Sequence, residues 1–205
     1  CAVISHAHGD HAVPGHQDIW ATAGTVSFMK HRFTKQKENS YRVKAYRTSF
    51  LLNNVTITFI PAGHILGSAQ ILMEYKGVKY LYTGDYKLQQ DATCEPLEFV
   101  EADVVITETT FANPEVIHPD PIEEIKKLSS TNHNIMLGCY TLGKAQRITH
   151  LLNEHCPEKV IYVHHNIAPV HRIYENEGYV PLRYEIYNRK ALKDGENKIY
   201  LVPPI

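Results

Sequence analysis

Short stretches in which apolar and polar residues alternate dominate the first half of the chain, and this two-residue period is typical of β-strands. Three such stretches are predicted strands: residues 54–62, 70–75 and 78–85. Residues 102–107 are a nearly continuous apolar run, which predicts a strand buried on both faces. Residues 1–5 are a short apolar run that ends at polar residues, which predicts a buried strand whose C-terminal end lies at a site. A short helix over 26–33 and a short extended segment over 43–46 complete this half. The first half is therefore predicted to consist of strands joined by tight connections.

Helices and strands alternate in the second half. Helices are predicted over 121–128, 142–155 and 168–177, and strands over 134–140, 159–163 and 198–202. The first of these helices has clear start signals, because Asp120 can cap it, Pro121 occupies its first position and acidic residues follow in its first turn. Such alternation indicates a small parallel α/β domain. We therefore divide the chain into domains at 1–115 and 116–205.

The composition is that of a soluble globular protein, with 43% hydrophobic and 21% charged residues among 205. No apolar run approaches the roughly 20 residues of a membrane-spanning helix, and no basic-then-apolar leader precedes the first strand. A cytoplasmic protein without membrane contact is expected. The first strand begins without the neighbours that a buried strand needs, which indicates a sequence that has lost its beginning. The four cysteines are widely spaced and are expected to be free thiols: Cys1, Cys94, Cys139 and Cys156.

A basic segment interrupts the otherwise nearly neutral chain, whose net charge is −1. Its positive side chains are Lys30, Arg32, Lys35, Lys37, Arg42, Lys44 and Arg47. Within the segment only Glu38 opposes them. Two interpretations stay open: a patch that binds the phosphates of a nucleic acid, or a solvated basic surface. Under the first, the candidate contacts are Lys30, Arg32, Lys35 and Lys37.

Histidine is unusually frequent, with 13 residues, and four potential metal ligands stand within six positions after the first strand. They are His6, His8, Asp10 and His11. A regular strand or helix cannot direct four such side chains to one point, so a tight loop is predicted, in which Gly9 permits unusual backbone angles. His64 and Asp85 each follow a predicted strand beside a glycine, where functional side chains tend to lie. Nitrogen and carboxylate donors without thiolate suit zinc, with manganese or iron as alternatives.

With these residues the sequence resembles the metallo-β-lactamase superfamily, whose His-x-His-x-Asp-His signature stands here at residues 6–11. The resemblance implies an αββα sandwich, incomplete at both ends in this sequence, with a two-metal hydrolytic site at its edge. It assigns one zinc ion to His6, His8, His64 and Asp85. It assigns the second ion to Asp10, His11 and the same Asp85. A metal pair of this kind activates water for phosphoryl displacement.

Three further stretches resemble the β-CASP nucleases of this superfamily: residues 63–68, 82–85 and 108–111. The resemblance covers almost the whole chain and implies that residues 116–205 form a small α/β cap, with nucleic acid entering between the domains. Lys144 stands in a stretch that begins a cap helix in that group. Two interpretations stay open: Lys144 binds a phosphate at the helix N-terminus, or it is an ordinary surface lysine. Glu108 matches an acidic residue near the scissile phosphate, or it merely caps the following turn. The catalytic candidates are Asp10, Asp85 and Glu108.

The β-CASP group includes messenger-RNA cleavage endonucleases and bacterial ligase-associated DNA exonucleases. The compact cap favours a zinc-dependent exonuclease that acts on RNA or single-stranded DNA. Such an enzyme would serve RNA processing or DNA repair, and its expected partner is a processing or ligase complex. The family's last histidines, one for the second metal and one as general acid, lie beyond the end of this sequence. His164 and His165 match no motif for either role.

Two other functions are alternatives. One is another hydrolase of the same fold, such as a thioesterase or lactonase, which the α/β cap disfavours. The other is a non-catalytic nucleic-acid-binding subunit, which the intact set of six ligands disfavours.

Overall fold

The computed structural model describes residues 1–179, 181–188 and 195–204. The chain folds as two compact units, Cys1–Thr110 and Phe111–Ile205. Both units contain helices and strands, which confirms the expected α/β class. None of the described helices is long and apolar enough to span a membrane. The four cysteines are free, as their spacing predicts.

A three-stranded parallel sheet opens the first unit, in the order β1-β2-β3. Its strands are β1 (Ala2–Val3), β2 (Ile19–Ala21) and β3 (Tyr41–Val43). Helix α1 (Ala23–Arg32) begins after Thr22, whose hydroxyl accepts a hydrogen bond from the backbone N–H of Thr25 at 3.4 Å. The helix therefore starts three residues before the predicted position. It packs on the sheet through a small core: Ile4, Ile19, Ala21, Val26 and Met29.

A five-stranded sheet completes the first unit, in the order β4-β5-β6-β7-β8. Its strands are β4 (Phe50–Leu52), β5 (Val55–Pro61), β6 (Ala69–Tyr75), β7 (Val78–Tyr82) and β8 (Val104–Ile106). Neighbours are antiparallel from β4 to β7, and β8 runs parallel to β7. The alternating stretches thus form the predicted strands, with ends trimmed by a few residues. Two separate apolar clusters lie against this sheet: Phe50, Phe59 and Ile71 in one, and Ile60, Leu72 and Leu81 in the other.

Strand β8 does not have the burial that its sequence predicts. A strand buried on both faces was expected, but Val104, Val105 and Ile106 are 41%, 55% and 52% exposed. The physical reason is its place in the sheet, because β8 is the last strand in the order and pairs with β7 alone among the described strands. An apolar run shows strand propensity but not which strand lies at an edge.

The second unit contains a four-stranded parallel sheet in the order β11-β10-β12-β9. Its strands are β9 (Ile135–Gly138), β10 (Val160–Val163), β11 (Glu185–Ile186) and β12 (Lys198–Val202), and its helices are α2 (Pro121–Lys126), α3 (Lys144–His155) and α4 (Ala168–Asn176). The predicted alternation is confirmed, and the short β11 is an addition to it. Asp120 caps α2 as predicted, accepting from the backbone N–H of Ile122 at 2.8 Å. The helices pack on the sheet through one core that includes Ile125, Leu152, Ala168, Ile161, Val163, Ile199 and Leu201.

The start of α1 is fastened to the loop between β5 and β6. The hydroxyls of Thr22 and Thr25 both donate to the carbonyl of Gly67, at 2.5 and 2.9 Å. Gly67 has a φ of +80°, and a Cβ at this position would lie 2.5 Å from the backbone N of Thr25. This loop also contains His64, so the contact joins the metal-ligand candidates to the helix.

Replacing Gly67 with Ala is therefore expected to lower the free energy of unfolding by about 1–3 kcal/mol for the left-handed conformation, plus the cost of the clash. Gly77→Ala is the matched control, because Gly77 has the same φ of +80° and a Cβ there would meet nothing within 4 Å. Urea unfolding of both variants should show the larger loss for Gly67→Ala. Equal losses would mean that the close approach of loop and helix adds nothing.

Candidate metal centre

Four side chains from three separate segments converge in the first unit: His6, His8, His64 and Asp85. Each offers one ligand atom, and these four atoms all lie within 4.8 Å of one another. His8 Nδ1 is 3.1 Å from both His6 Nε2 and His64 Nε2, and Asp85 Oδ2 is 3.7 Å from both of those nitrogens. In a tetrahedral zinc site with bonds of about 2.0–2.1 Å, ligand atoms are about 3.3 Å apart. The observed spacing fits such an ion.

Strand ends bring these segments together. The loop with His6 follows β1, the loop with His64 joins β5 to β6, and Asp85 comes just after β7. The backbone N–H of Ala69 donates to the carbonyl of Ser5 at 2.7 Å, which fixes the first loop against the start of β6. Gly84 has a φ of +54°, and a Cβ there would lie 2.9 Å from the Cβ of Ser5. A larger residue would therefore displace Ser5 or the backbone next to Asp85.

Asp10 and His11 lie next to the same cluster, and the centre of the His11 ring is 4.1 Å from that of His6. His11 Nε2 is 3.3 Å from Asp85 Oδ1 and 3.6 Å from Asp10 Oδ2. Asp85 therefore directs one oxygen to His6 and His64 and the other oxygen to His11. A carboxylate whose two oxygens face different histidines in this way could be shared between two metal ions. The structure thus brings together all six side chains predicted as ligands from the sequence.

The electrostatics favour metal binding. Burial, with additional repulsion from neighbouring histidines, lowers the pKa of His6 to about 2. Burial, with additional repulsion from His8 and Lys87, lowers the pKa of His64 to about 4. Both rings are therefore neutral at neutral pH, which is the form that binds a metal. Burial raises the pKa of Asp85, and the negative charges of Glu108 and Asp10 add to the effect. A bound cation would offset this repulsion.

Two hydroxyl groups contact the Nδ1 atoms of His6 and His11, on the opposite side of each ring from Nε2. Ser5 Oγ is 3.2 Å from His6 Nδ1, and the Tyr82 hydroxyl is 3.5 Å from His11 Nδ1. Such outer contacts fix the tautomer and orientation of a ligating ring. The sequence analysis missed both residues, although each stands within three positions of a predicted ligand and that proximity was the available signal.

Glu108 lies just beyond β8 in the same unit. Its carboxylate accepts hydrogen bonds from the backbone N–H groups of Tyr86 and Thr110, both at 3.3 Å. Partial burial raises its pKa, but the hydrogen bonds from Thr110 and Tyr86 outweigh this, and the net shift is downward. Glu108 is therefore an anion at neutral pH, and its charge acts on both His64 and Asp85.

The basic segment is partly neutralised by Glu38 within it and by two acidic residues from elsewhere in the chain. Lys30 pairs with Glu38, Arg42 with Asp18 at 2.8 Å, and Arg47 with Glu98. Lys44 instead lies 5.2 Å from the centre of the Trp20 ring. The sequence identified only Glu38 as an opposing charge, because Asp18 and Glu98 lie outside the segment.

Besides Lys44, three cations of the segment have no ion pair among the described residues: Arg32, Lys35 and Lys37. Arg32 lies beside the metal loop, since a Cβ on Gly9 would be 4.0 Å from its Nη1. All three side chains are exposed. They are the members of the segment that are available to an external anion.

In the second unit Lys144 is the exposed first residue of α3, with its Nζ 6.0 Å from the centre of the Tyr140 ring. The first turn of the same helix also contains buried hydrogen bonds that were not predicted from the sequence. The Gln146 side chain accepts from the backbone N–H of Gly143 at 2.7 Å and contacts His171 Nδ1 at 2.9 Å. His164 and His165 lie together after β10, with ring centres 3.8 Å apart.

No family model matches the sequence. The chain is 30% identical over 210 residues to a probable DNA ligase of Opitutus terrae, covering 98% of this chain and 20% of that protein. It is 30% identical over 181 residues to an RNase J-like protein of Methanocaldococcus jannaschii, covering 75% and 43% of the two chains. It is 31% identical over 154 residues to the endoribonuclease ysh1 of Aspergillus fumigatus, covering 68% and 18%. The chain spans less than half the length of each.

A similar fold occurs in the crystal structure of a protein of unknown function from Enterococcus faecalis V583. It aligns with 98% of this chain and 58% of its own, with a TM-score of 0.63 and 15% identity. The His-x-His-x-Asp-His loop, His64 and Asp85 come together in this chain. This cluster is consistent with the similarity to proteins that are named as nucleases. The chain belongs to the β-CASP nuclease group of the metallo-β-lactamase superfamily.

Proposed function

We propose that this chain provides the metal site of a phosphodiesterase that hydrolyses RNA or single-stranded DNA. The observation that carries the proposal is the cluster of three histidines and one carboxylate: His6, His8, His64 and Asp85. The nuclease relatives support the substrate class. The proposed architecture is the αββα sandwich of the superfamily with residues 116–205 as a cap.

The donor set fits zinc, with manganese as the second choice. His6, His8, His64 and Asp85 would hold one ion, and Asp10, His11 and Asp85 the other. When bound, the pair supplies an activated water and stabilises charge on the attacking and leaving oxygens. Asp85 would set the separation of the two positions, since its two oxygens face different histidines. Glu108 keeps a fixed negative charge beside the cluster, which suits a residue that orients a proton donor.

Cleavage from a strand end is the mode that we propose. It is supported by the alignment of 98% of the chain with a probable DNA ligase, because the β-CASP group includes ligase-associated exonucleases. The endoribonuclease relative makes internal cleavage the competing mode. Association with a processing or ligase complex stays a prediction.

The test uses metal-stripped protein with zinc or manganese added back. End-labelled single-stranded RNA and DNA of one sequence are the substrates, with a thioester and a lactone as rival substrates. Metal-dependent release of mononucleotides supports the proposal, whereas a spread of internal fragments supports an endonuclease. Hydrolysis of the thioester or lactone without cleavage of either nucleic acid would overturn it.

The unpaired cations of the basic segment give a prediction for binding. Replacing Arg32, Lys35 and Lys37 together with Gln should reduce the slope of log affinity against log salt concentration by about 2, since each phosphate contact on a single strand contributes about 0.7. The matched control is Arg42→Gln with Arg47→Gln, because both arginines already pair with acidic side chains. Binding titrations at several salt concentrations measure the slopes. If the triple variant keeps the original slope, the segment is a solvated surface.

A further inference from the structure

A buried ion pair lies in the segment that follows Asp85. Lys87 Nζ and Asp91 Oδ2 are 2.5 Å apart, and their side chains are only 15% and 4% exposed. Asp91 Oδ1 also accepts from the backbone N–H and the hydroxyl of Thr93, at 2.9 and 2.6 Å. Burial raises the pKa of Asp91, but the charge and hydrogen bond of Lys87 and those of Thr93 outweigh it, and the net shift is downward. Asp91 is therefore an anion at neutral pH.

The second acceptor of Lys87 belongs to a metal-ligand candidate. Lys87 Nζ donates to the backbone carbonyl of His64 at 3.2 Å. Lys87 is also two residues from Asp85 in the chain. It is therefore linked to Asp85 through the backbone and to His64 through its side chain. Its ammonium group therefore holds the backbone of His64, while the Nε2 atom of the same residue faces His8 and Asp85.

The same segment contacts the His64 loop at three further points. The backbone N–H of Lys87 donates to Ala62 at 3.2 Å, and the Cys94 thiol donates to the carbonyl of Gly63 at 3.4 Å. The Glu95 carboxylate accepts from the backbone N–H of Gly67, also at 3.4 Å. The loop is thus hydrogen-bonded to this segment on both sides of His64.

A buried ion pair is weak evidence for stability, because apolar residues of similar volume often stabilise a fold equally well. A role in positioning explains why charged groups occupy this place. We propose that Lys87 and Asp91 are positioning residues that hold His64 at the correct distance from Asp85 and thereby set the metal affinity of the cluster. The inference rests on the metal site of the proposed function. Loss of an outer partner of a metal ligand typically lowers affinity about 10- to 100-fold.

The test is the zinc affinity of the full chain, measured by competition with a chromophoric chelator. Lys87→Met is expected to weaken binding about 10- to 100-fold. The double variant Lys87→Met/Asp91→Leu removes both charges and so leaves no unpaired buried ion, but it also lacks the bond to His64. Its affinity should stay low even where its folding is restored. Lys126→Met is the control, because Lys126 forms an exposed pair with Glu123 on α2 and should leave zinc affinity unchanged.

A second readout separates positioning from general stability. The visible spectrum of bound Co²⁺ reports ligand geometry and should change in Lys87→Met but not in Lys126→Met. If Lys87→Met does not fold, the double variant and Lys87→Gln, which keeps a donor without the charge, decide the question. Wild-type zinc affinity and cobalt spectrum in the folded double variant would overturn the proposal. Zinc binding that responds as expected in a chain without nuclease activity would overturn the proposed function but not this role.

Discussion

Replacing Asp85 with Ala is expected to abolish tight zinc binding and to lower the rate of nucleic-acid cleavage by more than the roughly 100-fold that loss of an outer partner costs. The reason is the position of its two oxygens. Oδ2 lies 3.7 Å from His6 and His64, and Oδ1 lies 3.3 Å from His11. Removing this carboxylate takes one donor from each metal position and leaves the cations without the charge that they share.

His11→Ala is the informative comparison for Asp85→Ala. His11 contacts Asp85 and Asp10 and is not one of the four side chains in the tight cluster. This variant should therefore keep one tightly bound zinc and a higher residual rate. Metal analysis after gel filtration and cleavage of labelled RNA at saturating zinc measure both quantities. Equal residual rates and equal metal content in the two variants would exclude the bridging role.

The ligand cluster could be predicted from the sequence because its residues follow strand-like segments directly. A loop as dense as His6 to His11 cannot lie within a regular strand, and polar residues after apolar strands tend to meet at one edge. The alternation of apolar and polar residues placed β5, β6 and β7 correctly for the same reason, since it reports burial of one face. These signals are local, so a single sequence contains them.

The features that the sequence did not show depend on partners that are distant in the chain. Arg47 is neutralised by Glu98, and Lys87 reaches the carbonyl of His64, so neither contact is visible in a window of neighbouring residues. The exposure of β8 depends on its place at the end of the sheet, which its own apolar residues do not encode. Counting charges along the segment therefore overstated the number of its cations that have no acidic partner.

The two metal positions should differ strongly in affinity. The first has three histidines and one carboxylate, His6, His8, His64 and Asp85, which is a complete ligand set for zinc. The second has His11, the shared Asp85 and Asp10, whose side chain is 78% exposed. In the described part of the chain, no other group of three or more potential ligands is as tightly clustered as the first.

Zinc titration of this 205-residue chain should accordingly show one equivalent that survives dialysis and a second that exchanges readily. Cleavage of nucleic acid should be slow at low zinc, because the second position is then mostly empty, and should rise with added metal. His64→Ala should remove the tight equivalent, whereas Asp10→Ala should affect only the exchangeable one, so the two variants identify the positions separately. Two tightly held ions together with rapid cleavage at low zinc would show that the second position has a further ligand which the cluster of described side chains does not reveal.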